Sequence, residues 1–235
     1  MLEVNNVCVS FRSERQEKIF GTARNQVLFD VSLKVSQGTC LGILGESGSG
    51  KSTLGRVICG LLKPDTGEVK IQDVSVYASR NGRKNLQKRL SVVFQDYTTS
   101  ANPRFRVKEI IAEGLAARER NQKIRLNRLE EINRLLELVG LNSSYANRYP
   151  HELSGGQLQR VCIARAVACQ PEIILFDEAI SSLDAHTQIQ IMDLLHDLKE
   201  KLGLTYIFIT HDLTSVTYLC DEVLFLYHGR ITEHI

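Results

Sequence analysis

The segment Gly45 to Ser52 constrains the fold of this chain more than any other. It reads Gly-Glu-Ser-Gly-Ser-Gly-Lys-Ser and fits the pattern G-x-x-x-x-G-K-[ST]. A strand-like apolar segment, Thr39 to Leu44, precedes it, and a helix-like segment, Ser52 to Leu62, follows it. In this context the glycines let backbone N–H groups face a phosphate at the start of a helix. The pattern therefore predicts a phosphate-binding loop.

The order of residues in this loop also predicts their roles. Lys51 can reach the β- and γ-phosphates of a nucleotide, and the Ser52 hydroxyl can hold Mg²⁺. The predicted nucleotide contacts are Gly45, Glu46, Ser47, Gly48, Ser49, Gly50, Lys51, Ser52 and Thr53. The loop alone would equally suit kinases, small GTPases and helicases, so the rest of the chain must decide among them.

The hydrophobic pattern predicts an α/β core with a helical insertion. Strand character at Ile173 to Phe176 and at Tyr206 to Thr210 flanks an amphipathic helix, Thr187 to Leu202, and this order implies a parallel sheet. From Val107 to Leu141 the apolar residues recur every three or four positions, which indicates a separate helical lobe.

The remaining segments are predicted to be strands and connections. We predict strands at Leu2 to Phe11, Val27 to Val35, Glu68 to Val76 and Leu90 to Phe94, and a turn at Lys63 to Gly67. The polar and basic segment Ser79 to Lys88, which contains a glycine, is predicted to be a solvated surface loop.

Composition and charge argue against several classes of protein. The chain carries 29 basic and 27 acidic residues, and this near balance argues against nucleic-acid binding. Its apolar runs are far shorter than the ~20 residues of a membrane-spanning helix, and its alternating start is typical of a strand and not of a secretory signal. Its six cysteines are scattered, which favours reduced thiols over a zinc site or disulfide framework. We therefore expect a cytosolic protein.

An acidic pair follows the predicted strand Ile173 to Phe176. Asp177 is expected beside the phosphate loop as a Mg²⁺ partner in the Walker B manner. Glu178 is then expected to point at the attacking water and to position or deprotonate it. A strand that simply ends in two solvated charges is the alternative.

The segment Leu153-Ser154-Gly155-Gly156-Gln157 resembles the signature sequence of ATP-binding cassette (ABC) proteins. The resemblance spans almost the whole chain and implies an ABC-type nucleotide-binding domain of the P-loop NTPase class, with an antiparallel β edge and an inserted helical subdomain. It implies one domain over residues 1–235, with a RecA-like core at about 1–95 and 160–235 and the helical subdomain at about 96–159. It also implies ATP hydrolysis with ATP and Mg²⁺ as ligands.

The same resemblance assigns further residues. It implies a head-to-tail dimer in which Ser154, Gly155, Gly156 and Gln157 of one subunit contact the ATP held by the other. Gln95 resembles the Q-loop glutamine and His211 the switch histidine, while Asp184, in Ser182-Leu183-Asp184, resembles the D-loop aspartate that communicates across the dimer. The implied catalytic residues are Glu178, His211 and Gln95, and the implied Mg²⁺ ligands are Ser52, Gln95 and Asp177. An adenine-stacking aromatic is expected near the N-terminus, with Phe11 as the candidate and Phe20 as its competitor.

Two further stretches resemble the peptide and nickel uptake branch of the family. They are Phe94-Gln95-Asp96-Tyr97 with Ser100 to Arg104, and the residues on either side of the signature glycines, Arg148 to Glu152 before them and Gln157 to Arg160 after them. Ala179-Ile180 stands where peptide-importer subunits usually carry Pro-Thr, which resembles nickel-import ATPases more. The branch implies a subunit at the cytoplasmic face of the inner membrane, with two permeases, a second ATP-binding subunit and an extracytoplasmic solute-binding protein. We expect nickel or a related metal complex as the solute, with di- or oligopeptide import as the alternative.

Two other classes of cassette remain as alternatives. One is a soluble cassette that acts on nucleic acid or ribosomes, although such proteins usually carry two cassettes or long coiled-coil insertions. The other is a regulatory cassette that binds ATP without turnover, which the presence of Lys51, Asp177, Glu178 and His211 disfavours.

Overall fold

The computed structural model describes residues 1–17, 22–95 and 100–235. The chain divides into two compact units. The first contains Met1–Gln87 and Ile207–Ile235, and the second contains Lys88–Tyr206. Among the described residues, no helix has the length and apolar character needed to cross a bilayer.

The strands and helices follow one another in an α/β order. The strands are β1 (Leu2–Glu17), β2 (Thr22–Val35), β3 (Cys40–Leu44), β4 (Thr66–Ile71), β5 (Val74–Ser75), β6 (Leu90–Phe94), β7 (Ile173–Asp177), β8 (Thr205–Thr210), β9 (Glu222–Tyr227) and β10 (Arg230–His234). The α-helices are α1 (Lys51–Ile58), α2 (Arg80–Arg89), α3 (Val107–Gln122), α4 (Arg128–Leu138), α5 (Gly155–Ala168), α6 (Ala185–Leu202) and α7 (Leu213–Leu219). Short 3-10 helices lie at Ser143–Asn147 and Pro150–Glu152.

The first unit contains an antiparallel sheet and part of a mixed sheet. Strands β2, β1, β4 and β5 are neighbours in that order in the antiparallel sheet. In the mixed sheet β3 pairs with β9 in parallel, with Ile43 opposite Leu224, and β9 forms an antiparallel hairpin with β10. All of β3 is buried. The buried parallel pairing of β3 fixes where the phosphate loop begins, because that loop follows Leu44 directly.

The prediction of one strand over Glu68 to Val76 is wrong, because the segment folds into the β4–β5 hairpin. The two turn residues, Gln72 and Asp73, have φ angles of 48° and 62°. Tight hairpin turns with positive φ usually carry Asn-Gly or Asp-Gly. Because Gln72-Asp73 contains no glycine, the sequence gives no clear turn signal there.

The prediction of a loop at Ser79 to Lys88 is also wrong, because helix α2 covers most of this segment. The Ser79 hydroxyl accepts a hydrogen bond from the Gly82 N–H at 3.1 Å, which satisfies an unpaired donor of the first turn. Leu86 is only 1% exposed and anchors the helix. A Cβ atom at Gly82 would lie 2.0 Å from the Ser75 carbonyl oxygen. This glycine therefore permits close packing and does not break the helix.

The second unit contains the helical segment and the acidic strand. The predicted helical stretch from Val107 to Leu141 is confirmed as α3 and α4. Strand β7 pairs with β6 in parallel, with Asp177 opposite Phe94. Helices α3 and α5 approach closely at Gly114, where an added Cβ would lie 2.3 Å from the Arg165 carbonyl oxygen and 2.8 Å from the Ala168 Cβ. The absence of a side chain at Gly114 is therefore a requirement of this helix contact.

We expect Gly114→Ala to destabilise the fold by about 2 kcal/mol, the usual scale of overpacking. Alanine normally stabilises an α-helix relative to glycine. A loss of stability in Gly114→Ala would therefore be due to the close contact with the Arg165 backbone. Urea denaturation of the purified chain measures this change. Arg120→Ala, on an exposed position of the same helix, is the control and should change stability by less than about 0.5 kcal/mol. A Gly114→Ala variant as stable as the parent would contradict the packing described here.

Candidate active site

The phosphate loop connects a buried strand to a helix that lacks a side-chain cap. Gly50 precedes α1 as its N-cap with a φ of 106°, and Gly48 has a φ of 82°. Both angles are in the region that only glycine adopts readily. The first turn of α1 contains no acidic side chain. The first N–H groups of α1 therefore have neither a side-chain cap nor an acidic side chain in the first turn beside them, which suits an anion. That these residues bind a phosphate stays a prediction.

Lys51 is held against this loop. Its side chain is almost buried, with 4% exposure, and its Nζ atom donates hydrogen bonds to the carbonyl oxygens of Gly45 at 2.7 Å and Glu46 at 2.8 Å. The Ser49 N–H donates to the same Glu46 carbonyl at 3.1 Å. These contacts hold the ammonium group beside the backbone of the loop, where it can neutralise a bound phosphate.

The β9–β10 hairpin supports the loop from the side. The Gly229 N–H donates to the Ser49 carbonyl at 2.9 Å. A Cβ atom at Gly45 would lie 2.3 Å from the Leu226 carbonyl oxygen and 2.7 Å from the Ser49 Oγ. Because the nearest obstacle is backbone, Gly45 must remain glycine for β9 and the loop to keep this distance.

A cavity of about 590 Å³ lies beside Gly48 in the same unit. Its lining consists of Asn25, Gln26, Val27, Phe29, Gly48, Tyr227, His228, Gly229, Arg230 and Thr232. The Arg230 guanidinium lies 4.9 Å from the centre of the Phe29 ring. Phe11, the predicted adenine-stacking residue, is not among the described residues that line this cavity, and its exposed fraction is 40%. Phe20 lies outside the described residues, as do Asp96 and Tyr97, so the assignment of the adenine-stacking aromatic remains a prediction.

The predicted switch histidine lies just before a capped helix. His211 is exposed and follows the last residue of β8. Asp212 is the N-cap of α7 and accepts hydrogen bonds from the N–H groups of Thr214 at 3.1 Å and Ser215 at 2.9 Å. The Ser215 hydroxyl donates to the same carboxylate and, with these backbone bonds, lowers the pKa of Asp212. The cap fixes the backbone position immediately after His211.

In the second unit Asp177 ends β7, and Glu178 follows it directly. Glu178 has a left-handed backbone with a φ of 49°, which is unusual for this residue type. The Ser181 N–H and Oγ both donate to the Glu178 carbonyl, at 3.2 Å and 2.9 Å. The Gln95 Nε2 atom donates to the Glu178 carboxylate at 3.2 Å. Two residues that the sequence predicted as catalytic, Gln95 and Glu178, are thus brought together.

The signature segment begins helix α5 with a capping box. The Ser154 Oγ accepts the Gln157 N–H at 3.3 Å, and the Gln157 side-chain oxygen accepts the Ser154 N–H at 3.0 Å. The Gln157 Nε2 atom donates to the Tyr145 hydroxyl at 3.1 Å. This network fixes the orientation of the first turn of α5, which carries the two signature glycines.

The signature and the predicted D-loop aspartate are linked through Thr187. A Cβ atom at Gly156 would lie 2.4 Å from the Thr187 methyl group. Asp184 is the N-cap of α6 and accepts hydrogen bonds from the Thr187 Oγ1 at 2.7 Å and the Thr187 N–H at 3.0 Å. These bonds lower the pKa of Asp184, with the hydroxyl as the largest cause.

Thr187 and Ser181 were not predicted as site residues. The available signal for Thr187 is its position three residues after Asp184, the spacing at which an aspartate caps a helix. For Ser181 the sequence gives no comparable signal, because its partner is the carbonyl of a residue with an unusual backbone angle.

The fold and these loops together define an ATP-hydrolysing cassette, and comparisons with known proteins agree with that class. The family model described as ABC transporter matches residues 28–181. The chain belongs to the ABC transporter family, and its ATP-binding domain hydrolyses ATP.

Three of the similar proteins are informative. Over 87% of this chain and 67% of the relative, the chain is 45% identical to the oligopeptide transport ATP-binding protein OppF of Bacillus subtilis. It is 43% identical to the metal-staphylopine import system ATP-binding protein CntF of Staphylococcus aureus, over 100% of this chain and 91% of the relative. A solved ATP-binding cassette, a dimer in a post-hydrolysis state bound to ADP and Pi, is 30% identical and superposes with a TM-score of 0.86, covering 100% of this chain and 98% of that one.

We expect Gly156→Ala to destabilise the fold by about 1–3 kcal/mol, because its Cβ would clash with the Thr187 methyl group. Thr187→Ser removes that methyl group and keeps the hydroxyl that bonds Asp184. In the double variant Gly156→Ala with Thr187→Ser, most of the lost stability should therefore return.

Chemical denaturation of the parent, both single variants and the double variant measures the coupling between these positions. Thr187→Ser alone is the matched control and should cost less than about 1 kcal/mol. Strictly additive effects in the double variant would contradict a direct contact between Gly156 and Thr187.

Proposed function

We propose that this chain is the ATP-binding and hydrolysing subunit of an importer, working with permeases at the cytoplasmic face of the inner membrane. The observation that carries the proposal is the match to CntF, named as an import-system ATP-binding protein, over the full chain and 91% of that relative. OppF, named as a transport ATP-binding protein, supports the same role. The geometry of the phosphate loop supports nucleotide binding by this chain itself.

In this proposal the first unit binds the triphosphate. The N–H groups of the phosphate loop and of the first turn of α1 bind the phosphates, and Lys51 binds the β- and γ-phosphates. The buried position of Lys51 beside the loop carbonyls supports this role. His211 contacts the γ-phosphate, and the capped start of α7 limits the movement of the backbone next to it.

The residues of the second unit act on the attacking water. Glu178 positions or deprotonates the water, and Gln95 holds the Glu178 carboxylate through the bond already formed between them. The oxygen-rich set Ser52, Asp177 and Gln95 suits Mg²⁺, which when bound would neutralise charge on the phosphates. The hydrogen bonds from Ser181 to the Glu178 carbonyl support the unusual backbone conformation of Glu178.

The proposed assembly is a head-to-tail pair of ATP-binding subunits. In it the start of α5, with Ser154, Gly155, Gly156 and Gln157, binds the γ-phosphate of the ATP held by the other subunit. Asp184 transmits the state of that interface through Thr187, because its cap and the Gly156 contact share this residue. Two permeases and an extracytoplasmic solute-binding protein complete the importer.

The proposed solute is nickel or a related metal complex, with di- or oligopeptides as the second candidate. CntF favours a metal complex by its name, and OppF favours peptides by its name. The residues that depart from the usual peptide-importer sequence, Ala179 and Ile180, are 0% and 2% exposed. Because they are buried, they do not contact the solute, and they indicate it only through similarity to related importers.

We expect Glu178→Gln to lower ATP turnover by at least about 100-fold, the usual contribution of a general base. Nucleotide binding should be retained, because the phosphate loop is unchanged. Phosphate release measures turnover, and binding of a fluorescent ATP analogue measures affinity. Glu200→Gln, on the exposed side of α6, is the matched control and should keep parental turnover. Parental turnover in Glu178→Gln would overturn the assignment of the base.

The solute is tested on the complete complex, reconstituted with its permeases in vesicles. We expect ATP turnover to rise when the binding protein is loaded with nickel or a nickel complex, and to rise less when it is loaded with peptide. Stimulation by peptide alone would keep the ATPase role and reject the metal complex.

A further inference from the structure

Two thiols in the first unit lie close enough to react with each other. The Sγ atoms of Cys40 and Cys220 are 3.5 Å apart, although 180 residues separate them along the chain. A disulfide has an S–S distance of about 2.0 Å, so the atoms need to approach by about 1.5 Å. A change of side-chain torsion can supply a movement of this size.

The backbone holds these cysteines next to each other. Cys40 begins β3, and its N–H donates to the Asp221 carboxylate at 2.7 Å. In return the Asp221 N–H donates to the Cys40 carbonyl at 2.9 Å. Because Cys220 is covalently bonded to Asp221, this pair of hydrogen bonds keeps the two thiols adjacent whenever β3 and β9 are paired.

The space between the two cysteines is kept by Gly42. Side chains alternate along a strand, so Gly42 shares a face with Cys40. A Cβ atom at Gly42 would lie 3.0 Å from both the Cys220 Sγ and the Val216 Cγ1. The absence of a side chain at Gly42 thus lets the end of α7 pack closely against the face of β3 that contains Cys40.

The two thiols differ in their access to solvent. Cys40 is fully buried, with 0% exposure, whereas Cys220 is partly exposed. A small oxidant therefore reaches Cys220 first, and Cys40 is placed to react with the product. Elsewhere in the chain, burial raises the pKa of the Cys162 and Cys169 thiols, which makes the reactive thiolate less available there.

From this geometry we propose that Cys40 and Cys220 form a reversible disulfide when a hydroperoxide oxidises the protein. The Cys220 thiol loses its proton, and the thiolate attacks one peroxide oxygen. The O–O bond breaks, Cys220 becomes a sulfenic acid, and the hydroxide that leaves takes up that proton to give water. The Cys40 thiolate then attacks the Cys220 sulfur, the S–O bond breaks, and the leaving hydroxide takes up the proton that the Cys40 thiol lost, which gives a second water. Together two thiols and one hydrogen peroxide give one disulfide and two waters.

The disulfide would join two elements of the candidate active site. Strand β3 leads directly into the phosphate loop at Gly45, and α7 begins two residues after His211. The bond would link the start of β3 to Cys220, the C-cap residue that directly follows α7. It is also a cross-link between parts of the chain that are distant in sequence, which restricts the unfolded state strongly.

The test exposes the full purified chain to hydrogen peroxide, blocks the remaining thiols with iodoacetamide, and digests the protein without reductant. Mass spectrometry should find the Cys40 peptide joined to the Cys220 peptide, and dithiothreitol should separate them. Two of the six thiols should disappear from a thiol count. The oxidised protein should melt at least about 4 °C above the reduced protein.

Variants separate this pair from general thiol oxidation. Cys40→Ser leaves Cys220 without its resolving thiol, so dimedone labelling of a sulfenic acid at Cys220 should increase several-fold over the parent. Cys220→Ser should abolish the linked peptide. Cys59→Ser, which replaces another partly exposed cysteine, is the matched control and should keep the link.

Three outcomes would overturn the proposal. One is a parent protein that retains both thiols under peroxide, and another is a link from Cys220 to a different cysteine. The third is a linked protein that melts below the reduced one, because the bond would then require a distorted fold.

Discussion

Close contact between backbones is the constraint on which the phosphate loop depends. A Cβ atom at Gly45 would lie 2.3 Å from the Leu226 carbonyl oxygen, and the Gly229 N–H bonds the Ser49 carbonyl. Backbone atoms cannot rotate away as a side chain can, so the loop keeps its shape as long as β3 and β9 remain paired. The shape of the anion site therefore follows from strand pairing, and Lys51 adds its charge to a loop that is already fixed.

In the signature segment, the predicted D-loop and the segment after His211, one residue of each caps a helix. This affects how variants at these positions are interpreted. Ser154, Asp184 and Asp212 each accept hydrogen bonds from the first turn of the helix that follows them. Loss of such a cap typically costs about 1 kcal/mol of stability. A loss of activity after their substitution is consistent with either a role at the nucleotide or a displaced helix. Only variants that keep the cap, such as Asp to Asn at an N-cap, separate these two effects.

The sequence predicted the features that have a clear local pattern and missed those for which the local sequence gives no signal or a misleading one. The phosphate loop, the acidic end of β7 and the helical stretch from Val107 to Leu141 all have local patterns, and the structure contains each of them. Helix α2 was missed because Gly82 suggests a loop, while its actual role is to pass close to the Ser75 carbonyl. The contact between Gly156 and Thr187 was missed because nothing near Gly156 in sequence indicates what it packs against.

In the turn after β7, the residues that differ from the usual peptide-importer sequence have a structural role and do not contact the solute. A left-handed backbone at a residue other than glycine costs about 1–2 kcal/mol, and here the two hydrogen bonds from Ser181 to the Glu178 carbonyl offset part of that cost. Between these two residues, Ala179 and Ile180 are almost fully buried. Their side chains are therefore part of the packing of the turn that follows Glu178, and a different pair at these positions would alter that packing first. Any information that they hold about the transported solute comes from shared ancestry and not from contact with it.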